Sequence, residues 1–308
     1  MATWLVIVAS LLIAGCATPG ARVSGVPGYS SADWCDRPRV HDARQQDRLL
    51  RFAGIVREAL ATSGNSVAIV SRTGMDLERI GVRFSHAGVA MRSDDEGSWT
   101  VRQLYYACDE ARPRLFDQGL AGFLFNTEEP LVGHVSIVFP GSEAATLLER
   151  TARDDRRSLR LLAARYSANA YPFSVRYQNC NQWVIELLAT GWGSLVDGDD
   201  LRERAQAWLG LHGYDPAPLV LDSWWLKAAA TLSPLVHQDD HPEGERDGLE
   251  VRLSLPESIE AFVRKRDPQA TRIELCHAAG RVVMRRGWEP IEKGCIAMPG
   301  DRTSTIQG

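Results

Sequence analysis

The sequence predicts an α+β fold: a small antiparallel sheet packed against a helix that begins at a cysteine, followed by a β-containing C-terminal extension. Three observations predict it. Residues 82–92 and 99–106 read as strands separated by a polar turn, which is an antiparallel hairpin. Cys180, Trp183, Val184, Leu187 and Leu188 recur at i, i+3, i+4, i+7 and i+8, giving one apolar helical face over 180–190. Residues 249–308 read as strand, helix (258–265) and a cysteine-bearing hairpin. The 308 residues, 44% hydrophobic and 24% charged, have globular proportions and enough length for a core. A net charge of −4 with no long basic stripe speaks against a nucleic-acid partner. A mean hydropathy of −0.20 excludes a polytopic membrane protein.

The chain opens with an uncharged apolar run of eleven residues, 4–14. It is too short to cross about 30 Å of hydrocarbon but suits a signal-peptide h-region. It runs into Leu12-Ile13-Ala14-Gly15-Cys16, which resembles the lipobox of bacterial lipoproteins, although no Lys or Arg precedes the run. The resemblance implies a signal peptide over 1–15, cleavage before Cys16 and acylation of Cys16. Residues 16–34 then form a lipidated tether, and the membrane is a partner through the lipid. Ala17 in place of Asp implies, by analogy with that class, the outer membrane facing the periplasm.

Residues 35–236 are expected to form the main domain. Residues 41–62 have helical periodicity and end at Gly64-Asn65; 67–70 is a short buried strand, and 133–139 is a strand stopped by Pro140-Gly141. Residues 143–164 read as one helix, 166–179 as an aromatic loop and 201–211 as a helix. Residues 224–235 are apolar, and 237–248 read as a solvated linker. Within it His237, His241, Asp239 and Asp240 resemble a metal site only superficially, so no metal and no cofactor is expected.

An exported chain meets an oxidising compartment. With Cys16 lipidated, five cysteines remain and one must be left over. Connectivity is not fixed by the sequence. Compartment and count lead us to expect Cys35–Cys108 and Cys276–Cys295 as disulfides, with Cys180 a thiol.

Cys180 stands in the first turn of its helix, where unpaired N–H groups and the helix dipole favour a thiolate and can receive an oxyanion. Strand alternation puts His86, Gly88 and Ala90 on one face, and the two small residues leave room for the cysteine helix to approach. Gln103 interrupts an apolar row on the neighbouring strand, and a buried amide there suits the second nitrogen of a catalytic histidine. His134 is a competing base, read as a strand-edge residue.

Phe84-Ser-His-Ala-Gly-Val, followed about 90 residues later by Tyr177-Gln-Asn-Cys-Asn-Gln-Trp-Val, resembles the circularly permuted NlpC-type, papain-like cysteine hydrolases. The Asn179-Cys180 helix start is similar to that of lecithin:retinol acyltransferase-like proteins. More closely, the chain resembles a family of bacterial exported proteins known as a domain of unknown function, over most residues from Cys35 to the C-terminal hairpin. The resemblance implies Cys180 as nucleophile, His86 as base and Gln103 as third polar residue. Tyr171, Phe173, Tyr177 and Asn179 either line a substrate groove or cover the helix start. The implied activity is that of a lipid-anchored envelope cysteine hydrolase or acyltransferase acting on an amide, ester or thioester of a cell-wall peptide or lipid acyl group. The alternative is a catalytically silent envelope binding module on the same fold.

Overall fold

The computed structural model describes residues 40–306, apart from 75–76, 78–79, 94–96 and 129. The expected signal peptide, the tether, Cys16 and Cys35 lie outside the described residues.

The first helix, α1 (Ala43–Ala61), starts where the Asp42 carboxylate accepts from Gln45 N and the Gln45 side chain accepts from Asp42 N. This reciprocal cap satisfies two orphan donors of the first turn. Leu49, Phe52, Val56 and Leu60 fall on its buried side. Three strands follow, β1 (Val67–Arg72), β2 (His86–Arg92) and β3 (Trp99–Ala107), then β4 (Arg112–Gly119), a short helix α2 (Leu120–Phe125) and β5 (Gly133–Phe139). The predicted hairpin is β2 and β3, paired antiparallel with Ala90 opposite Val101. The sequence did not reveal β4. Its Pro113 and charged side chains resemble a break, yet it is the outermost strand, where a missing N–H and exposed charges are tolerated.

The single helix expected over 143–164 is two, α3 (Ser142–Arg153) and α4 (Asp155–Arg160). Between them Asp154 leaves helical geometry and caps α4 by accepting from Arg157 N. The cysteine helix α5 (Cys180–Trp192) and α6 (Leu201–Leu211) follow as expected. Next come the two-residue strand β6 (Leu219–Val220), α7 (Trp224–Thr231), α8 (Glu243–Arg246), β7 (Glu250–Val251) and α9 (Pro256–Arg266). The chain ends with β8 (Thr271–Ala278), β9 (Arg281–Arg286) and β10 (Arg302–Thr305). Cys276 and Cys295 form a disulfide. Cys108 is disulfide-bonded as well; the Cys35 half of the expected pair falls outside the described residues.

The sheet is larger than expected. Eight antiparallel strands run in the order β10-β9-β8-β5-β1-β2-β3-β4, so the C-terminal segment completes the main sheet instead of standing beside it. The reason is visible in β5: every residue of it is buried, and a central strand needs a partner on each edge. The 237–248 stretch is solvated only in part: Asp239, Pro242, Glu243, Gly244, Arg246 and Asp247 are exposed. His241 is buried between Glu245 Oε2 (3.0 Å) and the Asn169 carbonyl oxygen (2.7 Å), and Asp240 accepts from Tyr171 N.

Two cores lie on the two faces. Val67, Ile69, Ala87, Val89 and Met91 pack with α5 and α6. Ala68, Val70, Ala90, Val101 and Phe123 pack with α1 and α2. The expectation that Gly88 and Ala90 face the cysteine helix is therefore corrected: their neighbours Ala87 and Val89 do. Gly88 is small for another reason. A Cβ there would stand 2.7 Å from Val101 Cγ1 and 3.0 Å from the Arg102 carbonyl oxygen, so β3 itself crowds this position.

Candidate active site

The site forms where β2 begins and α5 begins. Asn179 caps α5, its Oδ1 accepting from Gln182 N at 2.7 Å, and its Nδ2 donates to the carbonyls of Ala168 and Ser254. This cap fixes the direction of the helix and therefore of Cys180. The thiol is buried and lies 4.0 Å from the Ser85 carbonyl oxygen, which also accepts from Asn181 Nδ2 at 3.2 Å. The start of α5 is thereby fastened to the residue immediately before His86.

The base of α5 is held rigidly. Glu186 is fully buried and accepts from Arg202 (Nε 2.9 Å, Nη2 3.0 Å), Gln178, Gln182 and Gln206. A buried carboxylate so thoroughly partnered ties α5 to α6 and to the loop that precedes Cys180.

The imidazole of His86 is buried. Its Nε2 lies 2.9 Å from Gln103 Oε1, while Gln103 Nε2 donates to Gln118 Oε1 at 2.7 Å. With the amide nitrogen of Gln103 engaged by Gln118, its oxygen faces the ring, and Nε2 carries the proton. Nδ1 then bears the lone pair. Tyr105, two residues after Gln103 on the same strand face, stacks on the ring at 4.8 Å, and Phe123 stands 5.9 Å away. The ring therefore sits among side chains of the α2-bearing face. Its link to the thiol runs through the backbone at Ser85, whose carbonyl oxygen Cys180 Sγ approaches to 4.0 Å.

Arg72 was not foreseen as part of this group. It is buried, pairs with His86 across β1 and β2, and donates Nη2 to the Tyr105 hydroxyl at 3.1 Å. Its guanidinium lies over the Phe123 ring, and its Nε has no hydrogen-bond partner among the described residues. Burial pushes the His86 pKa down to about 3, the Arg72 charge acts in the same direction, and the Gln103 hydrogen bond opposes both. The imidazole is thus neutral at physiological pH. The sequence held one signal for this: an arginine closing an otherwise apolar strand, Val67-Ala-Ile-Val-Ser-Arg.

The remaining candidates support the start of α5. Tyr177 is buried, stacks on His237 at 4.4 Å and donates its hydroxyl to Asp239. Phe173 meets Tyr214 edge-on, and Tyr171 packs between Phe173 and His241. His134 is not at a sheet edge. It lies on central β5, with Nδ1 3.2 Å from Glu274 Oε1 and Nε2 3.4 Å from Cys276 Sγ, and Glu274 also pairs with Arg83 and Arg272. His134 is thus absorbed by a buried ionic cluster. Although its ring nitrogens approach Cys276 and Cys295, both sulfurs are spent in the disulfide, so the trio does not make a metal site.

A family described as an uncharacterized protein conserved in bacteria (DUF2145) matches residues 59–263, more than half of the chain. The match covers most residues between Cys35 and the cystine-bearing hairpin, starting after the first and stopping short of the second. No curated protein and no solved structure matches.

Proposed function

Because the chain belongs to this DUF2145 family of bacteria, and because the matched region spans His86, Gln103 and Cys180 together, we propose that it is a cysteine hydrolase or acyltransferase. The observation that carries this reading is the His86–Gln103–Gln118 hydrogen-bond chain one residue along from Ser85, whose carbonyl oxygen Cys180 Sγ and Asn181 Nδ2 approach. It presents a neutral imidazole with its lone pair on Nδ1, the nitrogen nearer the Ser85–His86 backbone. In the proposed reaction Cys180 Sγ attacks the carbonyl carbon of an amide, ester or thioester, and His86 Nδ1 takes the thiol proton. Backbone N–H groups of the first turn of α5 receive the oxyanion. Collapse of the adduct expels the amine, alcohol or thiol, which leaves with the proton from His86. Water, or an acceptor amine or hydroxyl, then attacks the thioester and frees Cys180. The buried Arg72 charge opposes the imidazolium, so His86 passes the proton on to the leaving group readily. Cell-wall peptides or lipid acyl groups are the substrate classes that the sequence resemblance suggests.

Alkylation of Cys180 by iodoacetamide near neutral pH tests the dyad. His86→Ala should slow it roughly tenfold or more, with a smaller effect of Gln103→Ala, because the base is then lost or misoriented. Equal rates in all three proteins would remove the dyad. The second reading, a silent binding module, then takes its place; it is favoured by the depth to which His86 is buried and its strong preference for the neutral form.

We also propose lipid anchoring at Cys16, supported by the apolar run and the Leu-Ile-Ala-Gly-Cys motif. A fatty-acid analogue should label the wild type in cells and leave Cys16→Ser unlabelled; equal labelling would end the idea.

A further inference from the structure

Helix α7 is inverted in polarity. Its one charged residue, Lys227, is buried, and Nζ donates to the carbonyls of Glu245 (3.0 Å), Arg246 and Gly248. Its apolar residues face outward instead: Trp224 is 57% exposed, Trp225 86%, and Leu232, just past the helix, 78%. Val220 and Leu226 are exposed as well. Trp225, Ala228, Ala229 and Leu232 stand at i, i+3, i+4 and i+7, so they share one side. Trp225 belongs to this uncharged side, while Trp224 stands one turn before Lys227, whose Nζ lies 5.5 Å from its ring centroid. Scattered surface leucines need no explanation, but two exposed tryptophans at the start of such a side mark an interaction surface.

We propose that α7 docks on the headgroup–acyl boundary of a lipid bilayer, and that this contact orients the domain on the membrane. Tryptophan suits that boundary because its ring is apolar while its indole N–H can hydrogen-bond at headgroup level. The lysine that would otherwise hold this side in water is turned inward and its donors are spent. The inference rests on the anchoring proposed above in one respect. Cys16 and Val40, the first described residue, are 24 positions apart, a reach of at most about 85 Å, so an acylated chain confines the domain to the neighbourhood of a bilayer, where α7 can meet it. A protein partner or a second copy of the chain could cover the same side, and the experiment distinguishes them.

Protein beginning at residue 17, which lacks the apolar run with Trp4 and the acylated Cys16 and keeps every described residue, is mixed with phosphatidylethanolamine–phosphatidylglycerol vesicles whose acyl chains are brominated. Bromine quenches indoles that enter the acyl boundary. Tryptophan quenching is expected, and Trp224→Ser/Trp225→Ser in the same background should lose most of it while retaining its urea-unfolding midpoint. Lys227→Ala is not needed and would disturb the fold. Equal quenching in both proteins overturns the proposal. So does a concentration-dependent dimer, seen by sedimentation without lipid, that the double substitution dissolves; the occupant is then a second copy. Because the readout is tryptophan quenching, a silent Cys180 leaves it untouched.

Discussion

The protonation state of His86 gives the sharpest test of the site, because it follows from burial and the Arg72 charge and does not depend on any substrate. In the unfolded chain the imidazole titrates near 6.5; in the folded protein burial and Arg72 lower this to about 3. The folded state therefore refuses a proton that the unfolded state accepts. The sign follows: stability is unaffected well above pH 6.5, falls as pH drops through 6.5, and the loss is complete only below about pH 3. Between about pH 7 and about pH 5 the difference in proton binding amounts to about 2 kcal/mol. His86→Gln removes the titration while leaving an amide N–H to meet Gln103 Oε1. Urea unfolding at the two pH values should show the wild type losing about 2 kcal/mol more than the variant. His277, whose pKa burial also lowers, to about 4, contributes equally to both proteins and cancels. Identical pH dependence in the two would show that His86 is not a buried neutral imidazole, and the reasoning about its Nδ1 lone pair would fall with it.

Three further outcomes follow from the packing. Gly88→Val drives methyl groups into Val101 and the Arg102 carbonyl and should cost about 1–3 kcal/mol in urea unfolding, with slower Cys180 alkylation because Gln103 Cβ is only 3.3 Å from the added Cβ; an unchanged midpoint would contradict the crowding. Glu186→Ala leaves Arg202 buried without its carboxylate and should cost about 3–5 kcal/mol, part of which Glu186→Leu/Arg202→Met restores; equal losses in the single and double variants would count against a paired-charge role. Cys276→Ala/Cys295→Ala opens a loop of sequence separation 19 and should cost about 3 kcal/mol in the chain-entropy account, read as a lower melting temperature; an unchanged melting temperature would contradict it.

Local pattern was the legible part of this fold. The alternation in 82–92 and 99–106, the capped start at Asn179-Cys180 and the periodic face of α5 are short-range signals, and the structure has β2, β3 and α5 where they fall. The company of His86 and Gln103 was legible for the same reason, since two polar residues interrupt facing apolar rows. What depended on distant partners was hidden. Whether β2 turns its odd or even residues to α5 is decided by which side α5 crosses, and a one-residue error moves every side chain to the other face. Arg72 reads as a strand end until Tyr105 and Phe123 enclose it. Pro113 concealed β4 because its tolerance comes from standing at the margin, and margins are a property of the assembled sheet.

The seating of β8 on β5 has a consequence for the order in which the chain becomes complete. His134 and Cys276, neighbours across that pairing, are 142 residues apart in sequence. A chain emerging from its N-terminus makes β5 early and must wait for its second edge until the final segment arrives. Through that interval a seven-residue strand, buried along its whole length in the finished sheet, has one row of backbone donors and acceptors open to any passing strand. His134 likewise awaits Glu274, which arrives only with β8. Pairings of such sequence separation close slowly, so folding of this protein is gated by its last residues. Fragments that stop short of Thr271 should gather into aggregates however well their helices form, and a holding chaperone has a defined place to bind: the unfilled side of residues 133–139.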